Sequence, residues 1–267
     1  MKKFIALFTG MLMLAGCAQK KSEKLSIDAK SAKDNYATEI SISPMDFVKI
    51  SGNLITISPK EEDSVYTISG YFNGQIMVMK KNTVLKLENA YLENTSGKAA
   101  IKCEAKTEVS SAKGSINYIV SRGRGFAKNA ALHSDKDLVL GGSGLMFIQG
   151  NVCHAVEADN FKIKGAGTFF LEGTKRGSAL TCSSLTVEKE KTFSAYFLNS
   201  KNGIKADKKI LVNSGNFYLY DNDCAFKAKS ANFVKGDFFT YGNKTLFDVE
   251  SGETRNTDAV FTEVTES

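Results

Sequence analysis

Residues 130–147 read AALHSDKDLVLGGSGLMF, 154–171 HAVEADNFKIKGAGTFFL, 178–197 SALTCSSLTVEKEKTFSAYF, 202–219 NGIKADKKILVNSGNFYL and 224–241 CAFKAKSANFVKGDFFTY. Each stretch opens on a small residue and an apolar one. A polar turn follows, then an alternating strand, a Gly or charged turn, and a second alternating strand. The first apolar anchor falls at Leu132, Val156, Leu180, Ile204, Phe226 and Phe247, in steps of 24, 24, 24, 22 and 21 residues. Ile101 is an earlier anchor, separated from Leu132 by a longer loop. Self-similarity at a near-constant step marks a stacked-repeat architecture.

A step of 21 to 24 residues carrying three short strands fits one coil of an all-β, single-stranded, right-handed parallel β-helix. One coil cannot bury its own apolar face. Coils stacked at roughly 4.8 Å join those faces into a continuous core. Helical repeats are excluded by the strand pattern, and leucine-rich repeats by the missing L-x-x-L-x-L-x-x-N pattern. A β-sandwich is the remaining alternative, and it leaves the constant anchor spacing without a cause.

Outward from the repeats, the N-terminus carries an export signal. Lys2 and Lys3 precede an apolar run from Phe4 to Ala15, which closes on Leu14-Ala15-Gly16-Cys17. The run is too short to span a bilayer and fits a secretion signal, and small residues before a Cys match the bacterial lipobox. The expected organisation is a signal peptide over 1–16, a tether over 17–35 that begins at lipidated Cys17, and a β-helix domain over 36–267. Residues 18–35 are polar, rich in Lys and Ser and free of aromatics until Tyr36, which predicts flexibility. Acyl chains on Cys17 would anchor the protein in the membrane of the cell envelope or at the cell surface.

The formal net charge of +6 falls to +4 once Lys2 and Lys3 leave with the signal. A mild, dispersed positive charge does not point to nucleic acid, and it is compatible with attraction to acidic polysaccharide. Four cysteines remain besides Cys17. The coil register puts Cys103 and Cys182 in one column, three rungs apart. That is on the order of 14 Å, beyond disulfide reach, so buried single thiols are expected. His133 and His154 sit at different offsets from their anchors and lack the further ligands of a zinc site.

Three surfaces are candidates for binding. Alternation in the strand after the Gly turn directs Met146, Phe170, Ser194 and Tyr218 outward in one column, and Ile148, Glu172, Tyr196 and Tyr220 in the next. Tyr241 continues the second. The expected carbohydrate-binding residues are Phe170, Tyr196, Tyr218, Tyr220 and Tyr241, since aromatic faces stack on sugar rings while phenols hydrogen-bond. The alternative is a ladder that only stabilises stacked strands. The second surface is the turn with Asp221 and Asp223. Their i, i+2 spacing projects both side chains together, for a calcium ion or a uronate, or for an ion-pair ladder with Lys201. The third is Asp135, Asp159 and Asp207, each three residues after its anchor, where calcium, lysines or simple turn formation would account for the stacked acids.

Tyr66-Thr67-Ile68-Ser69-Gly70-Tyr71, Gly74-Gln75-Ile76, Ala99-Ala100-Ile101, Gly114-Ser115-Ile116-Asn117 and Ala131–Leu138 occur in an order that resembles a family of secreted bacterial β-helix proteins. That family, described as carbohydrate-binding domain-containing, is related in shape to pectate lyases. The resemblance spans about residues 40–230. It implies a right-handed parallel β-helix, polysaccharide binding of cellulose-like or acidic glycans, and calcium sites. The sequence departs from the family where an acidic pair often precedes the anchor. Lys201-Asn202 and Lys175-Arg176 stand there, and only Asp221-Asn222-Asp223 keeps acidic character.

No nucleophile elbow, catalytic carboxylate pair or phosphate loop stands out. The leading expectation is non-catalytic polysaccharide binding by a membrane-tethered lipoprotein. The alternatives are a structural protein or adhesin with protein partners, and a polysaccharide lyase using Arg176 near Asp221 and Asp223.

Overall fold

The computed structural model describes residues 25–123, 130–189 and 192–265. The expected signal peptide and Cys17 lie outside the described residues.

The anchor column sets the architecture. Ile55, Ile76, Ile101, Leu132, Val156, Leu180, Ile204, Phe226 and Phe247 are register partners from one coil to the next. All but the terminal Phe247 have no exposed surface. Every anchor read from the sequence therefore lies in one inward line, and two earlier coils extend it. Around this line the chain winds about nine turns of a parallel β-solenoid, about 23 residues each.

Three parallel sheets form the walls. The first contains the anchors. The second contains Leu85, Val109, Leu140, Ile163, Val187, Val212 and Phe233, which fill the core from the adjoining wall. The third runs through Thr168–Glu172, Ser194–Leu198, Asn216–Tyr220 and Gly236–Tyr241, paired in parallel. Its inward residues include Phe169, Ala195, Phe217 and Phe238. Antiparallel strands close the N-terminal end: Ser41–Ser43 pairs with 67–69, and Val48–Ser51 with Leu54–Ile57.

Of the tether expected over 17–35, residues 25–35 are described. Residues 25–36 pack lengthwise on the outside of the third sheet. They include a single helical turn, Ala29–Ala32, with Asp28 Oδ1 accepting from the Ser31 N–H, and a 3-10 turn, Lys33–Asn35. Ile27, Ala29 and Ala32 are buried. The segment is polar on average, but these three residues supply an apolar edge, and composition alone does not reveal the surface they meet.

Candidate binding surface

The third sheet carries an outward aromatic ladder. Tyr71, Tyr91, Tyr118, Phe147, Phe170, Tyr196, Tyr218 and Phe239 are register partners on eight consecutive rungs. From Tyr91 to Phe239 the rings stack with centroids 4.2–5.4 Å apart and interplanar angles of 7–27°. Rung spacing near 4.8 Å exceeds aromatic contact distance only slightly, so aromatic residues in register stack with little adjustment. Two residues further along each strand lies a second outward column: Glu93, Val120, Gln149, Glu172, Leu198, Tyr220 and Tyr241.

This register corrects the expected columns. Met146 and Ile148 point inward, and Phe147 points out. Tyr196 pairs with Phe170 and Tyr218, not with Tyr220. Tyr220 and Tyr241 do share a column. The cause is turn length. Sixteen residues separate anchor Leu180 from Tyr196, but fourteen separate Ile204 from its rung partner Tyr218. Counting from anchors therefore misplaces the third strand by two. Between Leu132 and Leu145 a one-residue error reverses the faces.

Stacking also changes what the rings offer. Tyr196 lies between Phe170 and Tyr218, and Tyr218 between Tyr196 and Phe239, so their faces are occupied by neighbours. They present edges and hydroxyls. Tyr220 meets Tyr218 and Tyr241 at 82°, outside the stack. Burial holds the Tyr196 phenol well above its ordinary pKa and pushes Tyr220 up to about 12, so both hydroxyls stay neutral donors. Phe170 is only 1% exposed, under residues 25–36, and is not a free contact residue. Tyr196, Tyr218, Tyr220, Phe239 and Tyr241 are half-buried and form the open end of the ladder.

At that end each strand runs into a polar turn. Asn199, Asp221 and Gly242 follow Leu198, Tyr220 and Tyr241, and all three have positive φ, between 54° and 62°. Asn, Asp and Gly are the residues that accept this corner. A Cβ on Gly242 would lie 2.3 Å from Asp221 Oδ1. Asp221 therefore owes its place first to backbone geometry. Lys175 donates to the Asp221 carbonyl at 2.6 Å. Its Nζ is also 3.6 Å from Asp223, which Lys244 approaches at 2.8 Å. The Lys244 hydrogen bond, aided by the Lys175 charge, holds the Asp223 carboxyl below its ordinary range. Lys175, Arg176, Lys201 and Lys244 are all exposed along this turn.

The third set occupies equivalent turns between the first two sheets. Asp135 binds His133 at 2.9 Å and lies 3.4 Å from Lys102. Asp159 accepts from Asn160 at 3.4 Å, and Asp207 lies 3.0 Å from Lys205. No group of three or more His, Cys, Asp and Glu poised for a metal occurs among the described residues. The carboxylates of Asp223, Asp135, Asp159 and Asp207 are each paired with a cation or an amide in this arrangement. Sequence reasoning missed two carboxylates that hold residues 25–36: Glu93 Oε1 accepts from Lys33 Nζ at 3.1 Å, and Glu172 Oε2 accepts from the Ile27 N–H at 2.8 Å. Their signal was a carboxylate on the outward face of a strand otherwise lined by apolar residues.

Comparison with known proteins agrees with this geometry in part. A family model described as carbohydrate-binding domain-containing protein matches residues 51–178. The match takes in Phe170 and Lys175 and ends before Tyr196. No curated protein matches. Among solved structures, the chain is similar to the polysaccharide lyase-like protein from C. thermocellum, solved as a gadolinium derivative. Identity is 18%, covering 85% of this chain and 94% of that one, with a TM-score of 0.53. At that identity the likeness is one of fold.

Proposed function

We propose that this protein is a lipid-anchored, extracytoplasmic lipoprotein that binds polysaccharide without transforming it, at the open end of the aromatic ladder. The observation that carries the reading is the meeting of Tyr220 and Tyr241 with the exposed Lys175, Arg176, Lys201 and Lys244. Tyr220 lies outside the stack, and sugar C–H faces pack on aromatic surface while neutral phenols donate to hydroxyls. The lysines and arginine at the rim suit the carboxylates of an acidic glycan. The family match over 51–178 supports a carbohydrate ligand for this fold. A calcium ion carried by a uronate would bridge Asp223 and the ligand, and retention on polygalacturonate should then fall in chelator.

Retention on polygalacturonate gel and on insoluble cellulose tests the reading. Tyr220→Ala should lower retention at least tenfold, and Tyr241→Ala less, because a ring flanked by partners excludes water better than one at the margin. Equal retention of the Tyr220→Ala, Tyr241→Ala double variant would place the ligand elsewhere. Anchoring is tested separately: Cys17→Ser should move the protein from the membrane to the soluble fraction.

A further inference from the structure

Two separate clusters of buried hydrophobic residues occur among the described residues. One is the solenoid interior. The other lies outside the third sheet and consists of Tyr91, Tyr118, Val120, Phe147, Phe170 and Leu198, closed over by Ile27, Ala29 and Ala32. The covering segment alternates, with Ile27 and Ala29 buried and Ser26, Asp28 and Lys30 exposed.

Residues 25–29 are held by contact to their main chain, and residues 33–36 by side chains: Lys33 Nζ donates to Glu93 Oε1 at 3.1 Å, and the Tyr36 hydroxyl donates to the Ile116 carbonyl at 2.8 Å. The Ile27 N–H donates to Glu172 Oε2 at 2.8 Å, and Gln149 Nε2 donates to the Ile27 carbonyl at 2.9 Å. Asn199 Nδ2 donates to the Leu25 carbonyl at 2.7 Å, and the Tyr91 hydroxyl donates to that of Ala29 at 2.7 Å. Glu172, 8% exposed, also accepts from Gln149 and Asn199, so the three side chains form one connected unit. Asn199 is 7% exposed, and its Oδ1 has no hydrogen-bond partner among the described residues. An acceptor left over at the Leu25 end suits one more main-chain N–H.

We infer that the outer strip of the third sheet is a peptide-binding groove, which takes an extended polypeptide by its main chain and small apolar side chains, and that residues 25–36 are its occupant in cis. Four solenoid side chains grip backbone atoms of Leu25, Ile27 and Ala29, a mode indifferent to the side chains between them, while Lys33 and Tyr36 fix the far end. Pockets over the ring edges accept Ile27, Ala29 and Ala32, which gives the groove its preference. A polysaccharide fits poorly here, because the stacked rings show edges. The partner is a segment of another polypeptide with aliphatic or small residues at the Ile27, Ala29 and Ala32 positions. The groove is distinct from the solenoid interior, so exchanging its occupant does not open the core.

A protease site inserted in the full chain at Ala37–Glu39, which are exposed, tests this. After cutting, a fluorescent peptide of residues 25–38 should replace the cut segment, with the far-ultraviolet spectrum of the solenoid unchanged. Methylating the Ile27 nitrogen of the peptide should weaken it at least tenfold, as should Glu172→Ala in the protein. Ser26→Ala and Lys30→Ala peptides should bind as the parent does, and so should an otherwise unrelated peptide that keeps Ile27, Ala29, Ala32, Lys33 and Tyr36. A cut segment that does not exchange, or a solenoid that unfolds on cutting, would make residues 25–36 an integral part of the fold and overturn the inference. Full affinity of the N-methyl peptide would overturn the main-chain mode.

Discussion

His133 lies between two carboxylates on the outer face of the first sheet. Nδ1 is 3.1 Å from Glu157 Oε2, and Nε2 is 2.9 Å from Asp135 Oδ1. Both partners are acceptors, so the imidazole satisfies both only as the doubly protonated cation. The Glu157 hydrogen bond, and then that of Asp135, raise its pKa above the ordinary value against the opposing effect of burial. Lys102, 3.4 Å from Asp135 and 3.1 Å from Glu104, is the neighbouring cation. A raised folded pKa contributes stability that is complete below the unfolded value of about 6.5 and fades as pH rises through the folded value. Urea midpoints of the native protein should therefore fall with pH across that interval, and those of His133→Gln should stay level. Parallel curves would mean that His133 is not charged in the fold. The cysteines follow the same residue-level logic. Ala158, register partner of Cys182, keeps Cys103 and Cys182 three rungs apart in one column, as their offsets from Ile101 and Leu180 predict. Burial pushes the Cys103 thiol up to about 12, which makes it inert toward alkylation in the native state.

At the scale of the strand, alternation was the readable signal and turn length the unreadable one. The pairs Phe169 with Leu171 and Phe217 with Leu219 point inward as their spacing predicts. In the coil of Leu145 the same rule fails, because Gly141-Gly142-Ser143-Gly144 can take up one residue more or less without a change of composition. The positive φ of Gly142, 98°, and its approach to Ser111 show how tightly that turn is drawn. The ladder was therefore legible as aromatic residues on successive coils, and its register was not. Its consequence for Phe170 is a reversal. Expected as an outward sugar contact, Phe170 is instead stacked between Phe147 and Tyr196 and covered by residues 25–36. Phe170→Ala should cost about 3–5 kcal/mol, as for a core phenylalanine. Phe239→Ala, at the half-exposed end of the stack, should cost clearly less. Chemical denaturation of the two variants compares them directly, and equal losses would show that stacking alone, without cover, sets the energy.

Over the whole molecule, the period of the anchors was enough to specify a solenoid, because each coil touches only the coils before and after it. The N-terminal cover was not legible. Its partner surface, which includes Glu172 and Asn199, is 145 and 174 residues away in sequence at those two contacts, and no periodicity links the two. Nearest-neighbour construction has an energetic signature. Leu180 and Ile204 are direct register partners, both without exposed surface. Ile76 lies five rungs from Ile204, on the order of 24 Å. Each single change to Ala should cost about 2–5 kcal/mol. Leu180→Ala and Ile204→Ala open adjoining cavities that can relax into one, so the double variant should depart from the sum by about 0.5–3 kcal/mol. Ile76→Ala with Ile204→Ala should add within about 0.5 kcal/mol, because no shared neighbour carries strain from one to the other. The denaturation curves of the three single and two double variants need the same slope for this comparison to be valid. Coupling at five rungs as large as coupling at one would mean that the coils respond as a single rigid body, and the one-dimensional account of this solenoid would fail.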